Sequence, residues 1–533
     1  MNYKIFPLKL FLYILIAIFA FYVNYFYANK GLFPIDSFSF FDSGYNIANG
    51  KHPIKDFWII SGILIDYIQA IFFYIFGFNW NAYVFHASTF NASISIFFFY
   101  FLNQFNKDII FNFILCLSLA TLCYPIIGTP FPYQHSFILS LASILIFYLA
   151  VLKEEKKYWI ILPFCMISSF LSMQLPSGLI NLIIIIFALF YFIKINISFL
   201  KYFFLSSFSI LCLLVIFFIL TDISFQDFLL QIILFPLTVG EGRIMGYENS
   251  FQGATLAKKF TLRGVLGHFK FINIFLLANI IFIYIYIKKN SKIIRIDKKI
   301  LVNLFVLICG CAFIFHQLIT ANQTFIFSLI PILCGFFIIQ LSYSIKRKSK
   351  IINIFLILLI SFITVKYHLV YNVERKFVDL QNVDLSNSIN AKVLDNKFNN
   401  LQWITPNNSS PKDEIELLLQ VINTLKKDKD YKMLITHYQF FSIIINENLN
   451  IPNRWYFPNN TFPSSNKNKY YKEYIKRFKS ILIKENIKKV YIVEGFPGEF
   501  SFINFNDLIG KNCFKKEKYN KIFYSINIMK RCD

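Results

Sequence analysis

A chain of 533 residues in which 56% are hydrophobic, 20% aromatic and only 15% charged falls outside the balance of a water-soluble enzyme of that length. Its formal net charge of +24 invites a nucleic-acid reading, but no zinc finger, RNA-binding signature or basic helix interleaved with stacking aromatics occurs. Nucleic acid is therefore excluded as a partner, and anionic membrane lipid is the expected counter-charge for the basic loops.

In chain order, the apolar run from Phe6 to Tyr27 is too long for the core of a secretory signal, and no small-residue cleavage site follows it. It is expected to remain as an anchor. Further runs long enough to cross a hydrocarbon core of about 30 Å at 1.5 Å per residue are predicted at 81–102, 107–125, 134–152, 157–173, 175–194, 200–221, 270–288, 300–316, 322–341 and 350–366. That makes eleven spans. The run 59–78 is apolar too but carries Asp66, Tyr67 and Gln69, which suits a helix lying in the interface or re-entering the membrane. Charge favours this count, because Lys and Arg collect in short cytoplasmic loops. With eleven spans, the clusters around Lys156, Arg295 and Arg347 share the side of the N-terminus, and the short loops 126–133 and 317–321 opposite them hold no Lys or Arg. The expected architecture is a polytopic α-helical transmembrane domain over 1–366, multi-pass in the plasma (inner) membrane, with outer loops at 28–80 and 222–269. A soluble extracytoplasmic α/β domain is expected at 367–533.

In that tail, β-like runs at Leu401–Thr405, Tyr431–Thr436 and Val490–Val493 alternate with helical stretches at Asp413–Lys427 and Tyr470–Lys484, the pattern of a small domain with a partly parallel sheet. It is expected either to cover the outer cavity and help select an acceptor, or to act as a passive lid. Of the nine cysteines, seven lie in apolar runs and behave as small hydrophobes. Cys513 and Cys532 lie in the tail and can pair in an oxidising compartment, although spacing alone does not bring two sulfurs together.

The first outer loop carries the most chemistry. Between Asp36 and Asn49 polar and apolar positions alternate at helical spacing, which predicts an amphipathic surface helix with an acidic start. A carboxylate at the membrane edge beside a partly desolvated cavity can serve as a general base. Asp36 is the first candidate, weighed against the ordinary role of a helix cap. Asp42, about two turns later on nearly the same face, is the reserve, weighed against that of a solvated surface acid.

The order Asp36, Tyr45, Gly50, Pro53, Asp56, Phe57 after a first span, followed by Gly62 and Gly77, resembles the C-type glycosyltransferase (GT-C) superfamily. The likeness is to the bacterial branch near the aminoarabinose transferases and protein O-mannosyltransferases. Ser37 stands where that family often has a second acidic residue, Ile63 replaces a Pro, and Gln174 stands where a phosphate-binding Lys is common. The resemblance implies a sugar donor carried on a polyprenyl phosphate, a cell-envelope acceptor (lipid, glycan or protein) arriving from the non-cytoplasmic face, and transfer with inversion. It also marks Tyr45, Asp56 and Gln174 as substrate-binding positions.

Such a reaction needs a base, cations or donors for the departing phosphate, and an apolar groove for the lipid. The stretch Thr238-Val-Gly-Glu-Gly-Arg243 predicts a flexible glycine-rich turn presenting one guanidinium, and Arg243 can grip phosphate through two parallel hydrogen bonds or else rest on headgroups. Lys258, Lys259 and Arg263 are expected to contact headgroups. His135, His316, Asn322 and Gln323 fall at the outer ends of spans, where polar side chains either line a cavity or simply end a helix. No metal constellation is recognisable, and no cofactor is expected beyond the lipid-linked donor. Two alternatives remain: a lipid-linked glycan ligase or polymerase, depending on outer Arg and His, and a non-enzymatic lipid or glycan transporter. Against the transporter, no pair of interrupted helices occurs at corresponding places in two halves.

Overall fold

The computed structural model describes residues 5–123, 128–245, 261–267, 269–289, 297–320, 326–344, 350–408 and 410–530. α1 (Ile5–Ala28) and α5 (Trp80–Asn103) lie side by side, with α6 (Ile109–Cys123) against both. Buried asparagines stitch them together. Asn91 donates to the carbonyls of Ala20 at 3.0 Å and Ala120 at 2.9 Å, and Asn24 donates to Ser88 Oγ at 3.0 Å and to the Gly128 carbonyl at 3.1 Å. In apolar surroundings these bonds meet no competition from water.

α7 (Pro132–Lys153) is buried along most of its length, surrounded by α5, α8 (Lys156–Ser172), α9 (Gln174–Lys194) and, after α10 to α13, by α14 (Lys298–Thr320). α10 (Leu200–Thr221) is the opposite case: Phe204, Leu205, Leu213 and Ile219 all face outward, and only Thr221 is buried. An apolar face of that size needs an apolar solvent. α11 (Phe225–Leu229) leads through one wide helical turn into α12 (Phe235–Met245); α13 (Lys270–Lys289), α15 (Leu329–Ser344) and α16 (Lys350–His368) complete the bundle.

Among the described residues nine helical segments are long and apolar enough to cross a membrane. They differ from the predicted set in two ways. The helices at three predicted spans are short, with 15 residues in α6, 17 in α8 and 16 in α15. Conversely, Phe225–Met245 qualifies by length and composition although it lies in the predicted outer loop.

The tail joins the bundle through the loop after α1, the predicted first outer loop. As the chain leaves α1, Gly31 N–H donates to the Gln402 carbonyl and Leu32 N–H to that of Ile404, both at 3.0 Å, while Gln402 N–H donates to the Asn29 carbonyl at 2.9 Å. Gly31 sits at φ +66°, the left-handed region that favours glycine. Further along the loop, Trp58 N–H donates to the Pro452 carbonyl at 2.7 Å, and Arg454 N–H to that of Trp58 at 3.0 Å. The loop after α1 and the tail after α16 therefore lie on one side of the bundle, so an even number of crossings separates them. The predicted count supplies ten; a crossing by Phe225–Met245 would make the number odd. That segment instead packs on the same side, with Gln231 accepting from Ile59 N–H and donating to the Ile54 carbonyl, both at 3.0 Å, and Phe235 edge-on to Trp58 at 5.5 Å.

Within the tail, β1 (Ile389–Asn390) and β2 (Gln402–Trp403) form a short antiparallel pair. A mixed sheet follows in the order β3-β4-β6-β5, with β3 (Lys432–Thr436) parallel to β4 (Lys489–Val493), and with β6 (Phe523–Ile528) antiparallel to both β4 and β5 (Phe514–Lys518). α17 (Pro411–Lys427) has a sequence-encoded start and stop. Ser410 Oγ accepts from Asp413 N–H at 3.3 Å, Pro occupies the first turn beside Asp413 and Glu414, and Lys426 and Lys427 close the last turn. α18 (Phe441–Ile445), α19 (Tyr471–Lys484) and α20 (Phe505–Leu508) complete the domain. Cys513 is disulfide-bonded, and Cys532 lies outside the described residues.

Candidate functional site

The single amphipathic helix predicted from Asp36 to Asn49 is broken in two, α2 (Pro34–Ser37) and α3 (Phe41–Ala48), around Phe38–Phe40. The physical reason is aromatic. On one continuous helix Phe38, Phe40 and Phe41 would point in different directions at 100° per residue, whereas the break lets all three enter one cluster. Phe38 packs on Trp80, Trp403 and Phe440, and Phe41 packs on Trp80, Tyr83 and Phe398. The sequence pattern is amphipathic, but both faces are used.

This break fixes three carboxylates in three states. Asp36, in α2, keeps a partly accessible face and has no hydrogen-bond or ion-pair partner for its carboxylate among the described residues. Burial, and then the like charge of Asp379, push its pKa up to about 7. Asp42, in α3, is also pushed up to about 7 by burial, partly offset by Ser442 and Asn46; it accepts from Asn46 Nδ2 at 2.7 Å and is 1% exposed. Asp66, in α4 (Leu64–Phe76), is fully buried, accepts from Ser43 Oγ at 2.5 Å and pairs with Arg454 at 2.6 Å. Burial raises the Asp66 pKa and lowers that of Arg454, and the attraction between them opposes both shifts. The Arg454 guanidinium also bonds Ser61 and lies 4.6 Å from the centre of the Phe40 ring. At 13 residues α4 reaches about 20 Å, short of a bilayer core, as expected for a helix that does not cross.

Trp455 ties this loop to the bundle. Its Nε1–H donates to the Ile35 carbonyl at 2.6 Å, and its ring touches both Phe40 at 6.0 Å and Phe131 at 5.7 Å, immediately before α7. Where the start of α7 and the ends of α12 and α14 approach one another lies a second polar group. His316 stacks on Tyr133 with centroids 5.2 Å apart, and Gln317 donates to the Tyr133 hydroxyl at 2.6 Å. Both ring nitrogens of His316, both amide atoms of Gln134, Gln317 Oε1 and Arg243 Nε are buried without a partner. The Arg243 guanidinium stands within electrostatic range of His316. The predicted glycine-rich turn is thus the body of α12, with Gly240 and Gly242 inside a helix that carries Arg243 toward α14.

The remaining candidates are committed within the protein. His135 Nδ1–H donates to the Phe131 carbonyl at 3.1 Å, so its Nε2 accepts from His86 Nε2–H at 2.9 Å. His86 Nδ1 lies 2.9 Å from Gln69 Oε1, which extends the chain of side chains from α7 through α5 to α4. Gln174 Nε2 donates to the carbonyls of Ile60 at 3.0 Å and Ile232 at 2.9 Å, clamping the loop after α1 to the segment after α10. The Tyr45 hydroxyl donates to Asn446 Oδ1 at 3.3 Å. Asp56 accepts from His52 N–H at 2.8 Å and pairs with Lys484 at 3.1 Å. Asn322, Gln323, Lys258 and Lys259 lie outside the described residues.

Sequence reasoning used Asp66 only to keep 59–78 from crossing the membrane, and it missed His86, Arg454 and Trp455. A polar residue inside an apolar helix flags Asp66 and His86; for Arg454 the signal is an Arg flanked by aromatics in a tail where Lys predominates. No protein-family model matches the chain, and no curated protein matches its sequence.

Proposed function

We propose that the chain is a membrane glycosyltransferase that moves a sugar from a polyprenyl-phosphate donor to a cell-envelope acceptor on the non-cytoplasmic face, with inversion. The observation that carries this reading is the Asp36 carboxyl, unpartnered, partly accessible and held at a pKa of about 7, where a base is half-ionised near neutral pH. Asp36 takes the proton of the acceptor hydroxyl as its oxygen attacks the anomeric carbon. The bond from that carbon to the phosphate oxygen breaks, and its electron pair leaves with polyprenyl phosphate. The partnerless donors around Arg243, His316 and Gln134 suit the charge that develops on the leaving group. The first-loop resemblance to the GT-C superfamily points to the same chemistry, and the apolar outer faces of the bundle suit a lipid-borne donor.

The test is mass analysis of envelope glycans in cells that carry the wild-type chain, Asp36→Asn, or no copy. A glycan present with the wild type and missing from the other two supports the reading; full restoration by Asp36→Asn sinks the mechanism.

A further inference from the structure

At 22 residues α10 is long enough to span a hydrocarbon core. It ends at Thr221 among outward-facing apolar side chains, Ile219, Leu220 and, just beyond, Phe225. Lys55 reaches that end from the loop after α1, where its Nζ donates to the Thr221 carbonyl at 3.3 Å and pairs with Asp222 at 3.1 Å. Lys55 also lines a cavity of about 510 Å³ between this loop, the chain at 226–230 and α19 of the tail, within the usual range for a small-ligand site. The cavity therefore begins where the apolar face of α10 stops, at the depth of lipid headgroups.

Its charges balance. Lys51 pairs with Glu485 at 2.6 Å, Lys484 with Asp56 at 3.1 Å, and Arg477 faces Asp227 at 3.9 Å. Lys476 and Glu473 stand one turn apart on α19, both exposed and without an ion-pair partner among the described residues. With Lys55 and Asp222 that makes five cations and five carboxylates. A lone anion would meet the carboxylates uncompensated, and a lone amine the cations, whereas a molecule carrying one charge of each sign meets both. Ion pairs open to water are worth little, so exchanging them for such a molecule costs little. Carboxylates accept the N–H bonds of a primary ammonium; a quaternary ammonium needs open aromatic faces, and Phe57 and Trp58 are only 3% and 1% exposed. We propose that this cavity binds the phosphoethanolamine head of a zwitterionic phospholipid, its phosphate toward the lysines, its ammonium toward the carboxylates and its acyl chains along α10. The proposal rests on α10 facing lipid and not on the glycosyltransferase reading.

The test titrates the purified full-length protein in detergent with short-chain phosphatidylethanolamine, phosphatidylglycerol and phosphatidylcholine, and with water-soluble glycerophosphoethanolamine, counting bound ligand by native mass spectrometry. Saturable binding of phosphatidylethanolamine is expected, about tenfold tighter than that of the other three. Ser480→Trp, at an exposed position lining the cavity, and the double variant Glu473→Gln/Lys476→Gln should each weaken it about fivefold or more. Glu473→Gln alone should narrow the preference over phosphatidylglycerol. Thermal unfolding confirms that the variants are folded. Absence of saturable binding, equal or tighter binding of phosphatidylglycerol or phosphatidylcholine, or undiminished binding by folded Ser480→Trp overturns the proposal. Equal binding of glycerophosphoethanolamine overturns it too, since the ligand is then a soluble phosphoester and not a lipid.

Discussion

The seam between the tail and the loop after α1 and the polar group of His316, Gln134 and Arg243 at the ends of α7, α12 and α14 are both buried, yet they are finished differently. In the seam, Asp66 has Arg454 and Ser43, and Trp58 Nε1–H donates to the Thr461 carbonyl at 3.0 Å. At the helix ends, both ring nitrogens of His316 and both amide atoms of Gln134 have no hydrogen-bond partner. A buried polar atom without a partner costs about 1–3 kcal/mol. The contrast is one of degree, since Arg454 Nε and Asp42 Oδ1 in the seam lack partners too, but only the seam has a buried ion pair to hold its two parts together.

Four substitutions or titrations test that distinction. Removing the partnerless carboxylate, Asp36→Asn, should lower sugar transfer about 10²- to 10⁴-fold with no loss of thermal stability, measured with a radiolabelled lipid-linked donor and by unfolding in detergent. Arg454→Met should do the opposite. It strands the Asp66 charge in the interior and should cost about 3–5 kcal/mol of stability, much of it recovered in the double variant Asp66→Asn/Arg454→Met. If the single and double variants melt alike, the pair does not hold the seam. Arg243→Ala should lower kcat/KM for the donor about 10- to 100-fold, the value of one or two charge-assisted bonds at about 1.5–3 kcal/mol, with Lys at that position restoring only part.

The remaining test is the dependence on pH. Asp36 acts as a base only when ionised, so kcat/KM should rise about tenfold per unit up to pH 7 and level above it. Stability runs the other way. A carboxyl whose folded pKa lies above its unfolded value binds more protons when folded between about pH 4 and 7, so its contribution to stability falls as pH rises through that window. The stability of Asp36→Asn relative to the wild type should therefore grow across the same interval, which a pH series of melting curves measures.

Much of the frame was legible in the sequence. Hydrophobic run length located the helices, basic loops gave the parity that the contact between the first loop and the tail requires, and the helical stretch read at Asp413–Lys427 is α17 without its first two residues, where the Ser410 cap went unread. The carboxylate at position 36 drew attention because an acid at the start of a mainly apolar loop is conspicuous; its raised pKa beside Asp379 had no signal in the sequence. Less accessible was whatever depends on distant partners. Nothing local says that Arg454 meets Asp66, or that Gln174 spends its amide on Ile60 and Ile232. Local pattern also misled at Gly240 and Gly242: two glycines suggest a turn, but each costs a helix only about 1 kcal/mol, and the packing of α12 against α14 absorbs it.

The ion pair of Asp66 with Arg454 spans 388 residues of sequence. At about 5–20 residues per second, a ribosome needs roughly 20–80 s to supply the cation after the acid has been made. Throughout that interval the newborn first loop lacks the arginine that settles its buried acid. The protein therefore comes into working order late in its own synthesis, and a prematurely terminated product would carry the proposed base without the architecture that positions it.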